Sequence, residues 1–412
     1  MVAASDAPRQ PDSGVGAVGS PLASGCTVVG AVQTIDDKMG VPHEHGTTRL
    51  ENLSVLAERD KTIVTWERSN DFDVGDYVRT PTLALRDGSG PFVQRQFQSS
   101  ATSCGAYGHV SPLTADEPFV TWGVDGGLAF LSWKGLPGPV HLQTPDMVDS
   151  RGARRVGTPR QDIQTFVTSR RVALAATSEL GCDEYCECRD TAPPALWVYP
   201  LGGTGAKASK IASFAGRGRE APSPVPALAM GDGHGVGAYR DRGALYLFWL
   251  DAAGTPEGAS LRFDAGDVGA PALAISGNRV LVAWARRGKG KDEPYALKWM
   301  SLEHGTKTFP EPETLPTTGS AFAPGVLTDG TEAIFTWMEG DAGAKGAVFA
   351  ARRPLARAGH PSGAVMVSPL DDDNARDPEV SGTVDAPVIV YGKFGKARPG
   401  GVPRIAYLAC RR

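Results

Sequence analysis

Apolar residues along this chain come in short runs broken by Gly, Asp or Asn, and no stretch holds the 3.6-residue spacing of an amphipathic helix. The clearest example is "APALAISGNRVLVAW", residues 270–284, where two apolar runs hinge on Gly277-Asn278 and end at Trp284. Aligning on that closing aromatic recovers the unit elsewhere. "KTIVTW" ends at Trp66, "EPFVTW" at Trp122, "EAIFTW" at Trp337 and "APVIVY" at Tyr391, with a weaker copy, "GHGVGAY", ending at Tyr239. "SRRVALAA", near Ala175, fills the long interval between Trp122 and Tyr239. The seven marks recur at a period of about 54 residues, and a fixed period of this size signals an array of identical supersecondary units.

Each unit has the same order. A first apolar strand such as "PALAI" leads through a tight turn to the strand carrying the aromatic. A variable polar loop follows, then a third strand such as "ALYLFWL" or "ALKWMSL", and a short edge strand such as "ASLRF". Four antiparallel strands repeated radially predict an all-β protein, a seven-bladed β-propeller, with six or eight blades as the alternatives. The last unit stops one strand short, and "CTVVGAVQ", Cys26 to Gln33, is free to complete it from the other end of the chain. That closure covers a sheet edge and sets Cys26 beside Cys410, where a disulfide would lock the ring. Residues 1–23 read as a flexible leader and 24–412 as one propeller domain.

Composition agrees. Gly 51 and Pro 32 suit many short turns, and 42 basic against 46 acidic residues give a net charge of −4, which is no polycation built for nucleic acid. The longest apolar run, Ala244 to Leu250, is too short to cross a bilayer. A monomer is expected. The six cysteines are even in number, and Cys104 falls on the same face of the disc as Cys182, Cys186 and Cys188 in the neighbouring unit. Disulfides and an oxidising compartment, extracellular or periplasmic, follow from that pattern, although no signal peptide is recognisable.

Candidate chemistry gathers on the face where the first strands begin, called here the upper face. Asp71, Asp73 and Asp76 in "NDFDVGD" have the close carboxylate spacing of a calcium loop but lack its terminal Glu, so a structural calcium is the one cofactor suggested. "DDDNARD", Asp371 to Asp377, is a weaker version of the same pattern. Arg217, Arg219, Arg240, Arg242, Arg286, Arg287 and Lys393 crowd the upper loops and form a candidate anion-binding crescent. No nucleophile elbow, zinc motif or P-loop occurs. A carboxylate pair drawn from separate units would leave no local spacing.

The repeated "PALAISGNRVLVAW…LKWMSL" pattern resembles secreted bacterial β-propellers of the sialidase/BNR-like kind. The resemblance is architectural, because the Asp-box S-x-D-x-G-x-x-W is missing and "TDGTEAIFTW" does not fit it. It transfers no catalytic residue. The expectation is an exported, non-catalytic propeller binding a protein or glycan through its upper loops, the alternative being a carbohydrate-active enzyme. Paired acids converging with an arginine at the channel would favour the enzyme, and a channel of small or apolar residues would favour binding.

Overall fold

The computed structural model describes residues 25–36, 38–39, 42–43, 46–71, 77–96, 108–112, 118–124, 127–132, 164–167, 172–182, 188–200, 209–213, 227–231, 233–241, 243–288, 290, 293–340, 346–356, 363–369 and 374–411. These residues are all β, and their strands form seven antiparallel sheets in chain order. The first sheet runs through Gly46–Glu58, Lys61–Asp71, Tyr77–Asp87 and Val93–Gln96, with Pro42–His43 added at its inner edge. The second has three described strands, Gly108–Pro112, Pro118–Val124 and Gly127–Ser132. The third comprises Gln164–Val167, Val172–Cys182, Cys188–Pro200 and Ser209–Ser213. The fourth comprises Ala227–Met230, His234–Asp241, Ala244–Asp251 and Pro256–Ala265, and the fifth Ala272–Ser276, Arg279–Arg287, Tyr295–Glu303 and Glu313–Leu315. The sixth comprises Ala321–Thr328, Glu332–Glu339, Ala347–Pro354 and Val365–Met366.

The seventh sheet is built from both ends of the chain. Asn374–Gly382, Pro387–Gly395 and Arg398–Cys410 are completed by Cys26–Val28, with Gln33–Thr34 pairing further along the last strand. Main strands of successive sheets pack against one another in chain order, and Asn374–Gly382 returns to Gly46–Glu58 of the first sheet. This radial packing of antiparallel four-stranded sheets is the expected propeller.

Every repeat mark lies in the second strand of its sheet, although these strands run at least two residues beyond it. Gly277 has φ 53° in the two-residue turn joining Ser276 to Arg279, a backbone that glycine adopts without steric cost. The aromatics then fill the seams between sheets. Trp284 packs among Val236, Leu245 and Leu247 of the fourth sheet, and Trp337 among Leu281, Ala283 and Trp299 of the fifth. Tyr391 packs on Ile334 and Val348 of the sixth, and Trp66 on Val388 and Val390 of the seventh. All four are fully buried. The mark aromatic of each of these sheets therefore faces the sheet that precedes it in the ring.

Cys26 lies opposite Cys410 in the strand register and is disulfide-bonded to it. Arg352, 3% exposed, donates to the Cys410 carbonyl and pairs with Glu332 and Asp385, so the sixth sheet grips the same seam. Among the described residues no helix is long and apolar enough to span a membrane.

Candidate functional site

A recurring irregularity shapes the inner rim. Where the first strand pairs with the second, the register slips between Glu51 and Ser54, between Phe322 and Gly325, and between Arg376 and Glu379. The same slip occurs in the fifth sheet, where Gly269 bonds to Ala285 and Ala272 pairs with Ala283. These bulges set Asn52, Ala270, Ala323 and Asp377 at one structural position, and Ser54, Ala272, Gly325 and Glu379 two residues further on. Ala323 and Asp377 both take left-handed backbones, at φ 46° and 52°, conformations that cost non-glycine residues energy and cluster at functional sites.

Only the seventh sheet among these four places two acids on the bulge. Asp377 and Glu379 are solvent-exposed although they lie on an innermost strand, so they face the central channel. Neighbouring protein crowds the Glu379 carboxyl and reduces its hydration. Those surroundings raise it from an ordinary 4.5 to about 7, and the Asp377 carboxylate pushes the same way. Asp377 is raised by the same loss of hydration, against the opposing charge of Arg376. The Arg376 guanidinium lies 5.5 Å from the centre of the Phe394 ring. Glu379 was not singled out by the sequence reading. The signal that could have found it is the recurring phrase "GAPAL", "FAPGV", "RDPEV", in which small residues give way to acids once.

Next to this rim, a pocket of 260 Å³ opens between the fourth, fifth and sixth sheets. It is lined by Arg240, the crossing segment from Asp267 to Ala270, Tyr295 and the bulge Phe322–Pro324. Tyr295 donates its hydroxyl to Asp267 at 2.8 Å, and its ring lies 4.9 Å from that of Phe322. Burial, then the Asp267 carboxylate, holds the Tyr295 hydroxyl above its usual value.

The basic crescent meets this pocket in part. Arg287 pairs with Asp267 at 3.2 Å and covers the Tyr295 ring, while Arg286 pairs with Asp264 at 3.0 Å. Asp264 also accepts from the Trp284 indole at 2.6 Å. Arg240 donates to the Val268 carbonyl at 3.0 Å. Lys393 stands opposite Ala375 in the seventh sheet. Arg217, Arg219 and Arg242 lie outside the described residues, as do Asp73, Asp76, Cys104 and Cys186. Asp71 ends the second strand of the first sheet, and Cys182 and Cys188 face each other in register across the third-sheet hairpin. Among the described residues, no group of three or more His, Cys, Asp or Glu side chains is placed to hold a metal ion.

No family model matches the chain, and no curated protein matches it. Solved structures do share its fold. A protein of unknown function from Dyadobacter fermentans aligns at TM-score 0.51 and 11% identity, over 93% of this chain and all of that one. An alpha-L-arabinanase from Penicillium chrysogenum, complexed with arabinobiose, aligns at 0.48 and 11%, over 92% of this chain and 99% of that one. A Trypanosoma rangeli sialidase aligns at 0.43 and 9%, over 94% of this chain and 60% of that one. Likeness at this depth concerns the course of the backbone, and function has to be argued from the site.

Proposed function

We propose that this chain is an exported seven-bladed propeller that acts on carbohydrate by acid–base chemistry at its central channel, with Glu379 as the proton donor. The seven sheets and their return from the last to the first support the blade count, and the disulfide supports export to an oxidising compartment. The observation that carries the activity is the pair of exposed acids, Asp377 and Glu379, on the bulge of an innermost strand, where the surroundings raise the Glu379 carboxyl to about 7. Glycoside cleavage needs one carboxyl protonated near neutral pH and a second that is ionised, and their surroundings set which is which. Here Glu379 would protonate the leaving oxygen. Asp377, held closer to its ionised form by Arg376, would serve as the base or stabilise positive charge on the sugar ring. The aromatic pocket beside the rim has the mixed lining, ring faces with an acid and an arginine, that sugar recognition uses.

The test is release of reducing ends from a panel of neutral and acidic polysaccharides, by wild type and by Glu379→Gln. Turnover that falls about 10²–10⁴-fold in the variant is expected for loss of a general acid. Equal turnover in both would overturn Glu379's role. Binding without turnover in both would favour the second reading, a glycan-binding propeller, for which the Arg240 pocket is the specific support.

A further inference from the structure

Of three arginines in and around the pocket of the fourth, fifth and sixth sheets, Arg240 alone is part of its lining, and their partners differ. Arg286 and Arg287 are each matched by a carboxylate, Asp264 and Asp267. Arg240 lines the pocket, and the hydrogen bond that orients it goes to a neutral carbonyl, that of Val268. Among the described residues no acid forms an ion pair with it. The pocket therefore carries one guanidinium that no carboxylate among the described residues pairs with, oriented by its bond to Val268. A half-buried guanidinium in that state takes a carboxylate through paired N–H donors.

The remaining lining limits what carries that carboxylate. Tyr295 and Phe322 form an aromatic wall, and Ala270, Ala285 and Pro324 are small and apolar. Asp267 accepts from the Tyr295 hydroxyl and presents oxygen at the same wall. A volume of 260 Å³ lies just below the roughly 300–1,000 Å³ of sites for drug-sized ligands. One sugar ring fits such a space. We infer that this pocket holds a single acidic sugar residue of the uronic acid class, its carboxylate on Arg240, its ring against Tyr295 and Phe322, and its hydroxyls towards Asp267. The inference deepens the carbohydrate reading, on which it rests, by naming the substrate class.

Full-length protein titrated with sodium glucuronate, glucose and sodium acetate, followed by calorimetry or ligand-observed NMR, tests it. Glucuronate is expected to bind at least tenfold more tightly than either glucose or acetate. Arg240→Gln should erase that preference, and Phe322→Ala should weaken glucuronate while leaving acetate unchanged. Should Arg240→Gln fail to fold, Arg240→Lys, which keeps the charge and loses the paired donors, is expected to weaken glucuronate severalfold. Equal binding of glucose and glucuronate overturns the inference, as does acetate binding as tightly as glucuronate, or an Arg240 variant that keeps the preference. Glu379→Gln should bind glucuronate as wild type does. Loss of turnover at the channel and loss of recognition at the pocket are thus read separately.

Discussion

The inner strands of the sixth and seventh sheets make the same bulge from different residues. Phe322-Ala323-Pro324-Gly325 and Arg376-Asp377-Pro378-Glu379 slip register at the same place, and Ala323 and Asp377 share the same left-handed backbone. The sixth sheet makes that bend with a methyl group and a glycine. A pair of carboxylates is therefore not something the bend requires. In the seventh sheet the acids cost stability, because the channel surroundings oppose their ionisation. A residue that the fold does not need and that works against it is best explained by chemistry.

The largest effect comes from making the seventh sheet like the sixth. Asp377→Ala with Glu379→Gly should leave the circular dichroism spectrum and melting profile of a folded β protein. Turnover should fall by about 10²–10⁴, the span for losing general acid–base catalysis. A double variant that unfolds would show the acids to be structural, and the comparison would fail there. The sheets also differ in how they are assembled, since the seventh borrows Cys26–Val28 from the start of the chain. Replacing Cys26 and Cys410 together by Ser should lower unfolding stability by about 2–5 kcal/mol, measured by denaturant melts. The matching effect in wild type with reductant identifies the Cys26–Cys410 bond as the cause.

The reverse exchange is smaller and steric. A Cβ at Gly325 would sit 2.4 Å from the Thr336 hydroxyl and 3.2 Å from the Pro378 carbonyl. Glu379 stands at the equivalent place opposite Val390 and is exposed there. Gly325→Ala should therefore cost about 1–3 kcal/mol, the usual range for overpacking, whereas Glu379→Ala should not. Equal costs at the two sites would break the structural equivalence of the bulges.

Much of this was legible in the chain. Trp66, Trp284, Trp337 and Tyr391 announced the repeat because burial at a seam between sheets demands a large ring at one phase of each unit. Cys26 and Cys410 announced the closure because one strand was missing at one end and spare at the other. The site was less legible. Arg240, Arg286 and Arg287 were named from their place in the upper loops of the repeat, but which of them is neutralised depends on Asp264 and Asp267, set by a strand end and a crossing segment. Glu379 lay unmarked in the strand around "DPEVSG". Its meaning emerges only when the register slip aligns it with Gly325, and no local spacing carries that information.

The smallest effect is the most diagnostic of where Glu379 sits. A carboxyl raised from 4.5 to about 7 on folding binds a proton in the folded state at pH values where the unfolded chain has released it. Folding then takes up protons between those two values. The Glu379 contribution favours the folded state at the acidic end and is progressively lost as pH climbs towards 7, where the confined charge must form. Glutamine imitates the protonated acid at every pH. Glu379→Gln should therefore melt at the same temperature as wild type near pH 4.5 and at a higher one at pH 8, with the difference opening across the interval between. A flat difference would mean that bulk water reaches this carboxyl as freely as it reaches any surface glutamate, and the channel would lose its claim to tune an acid.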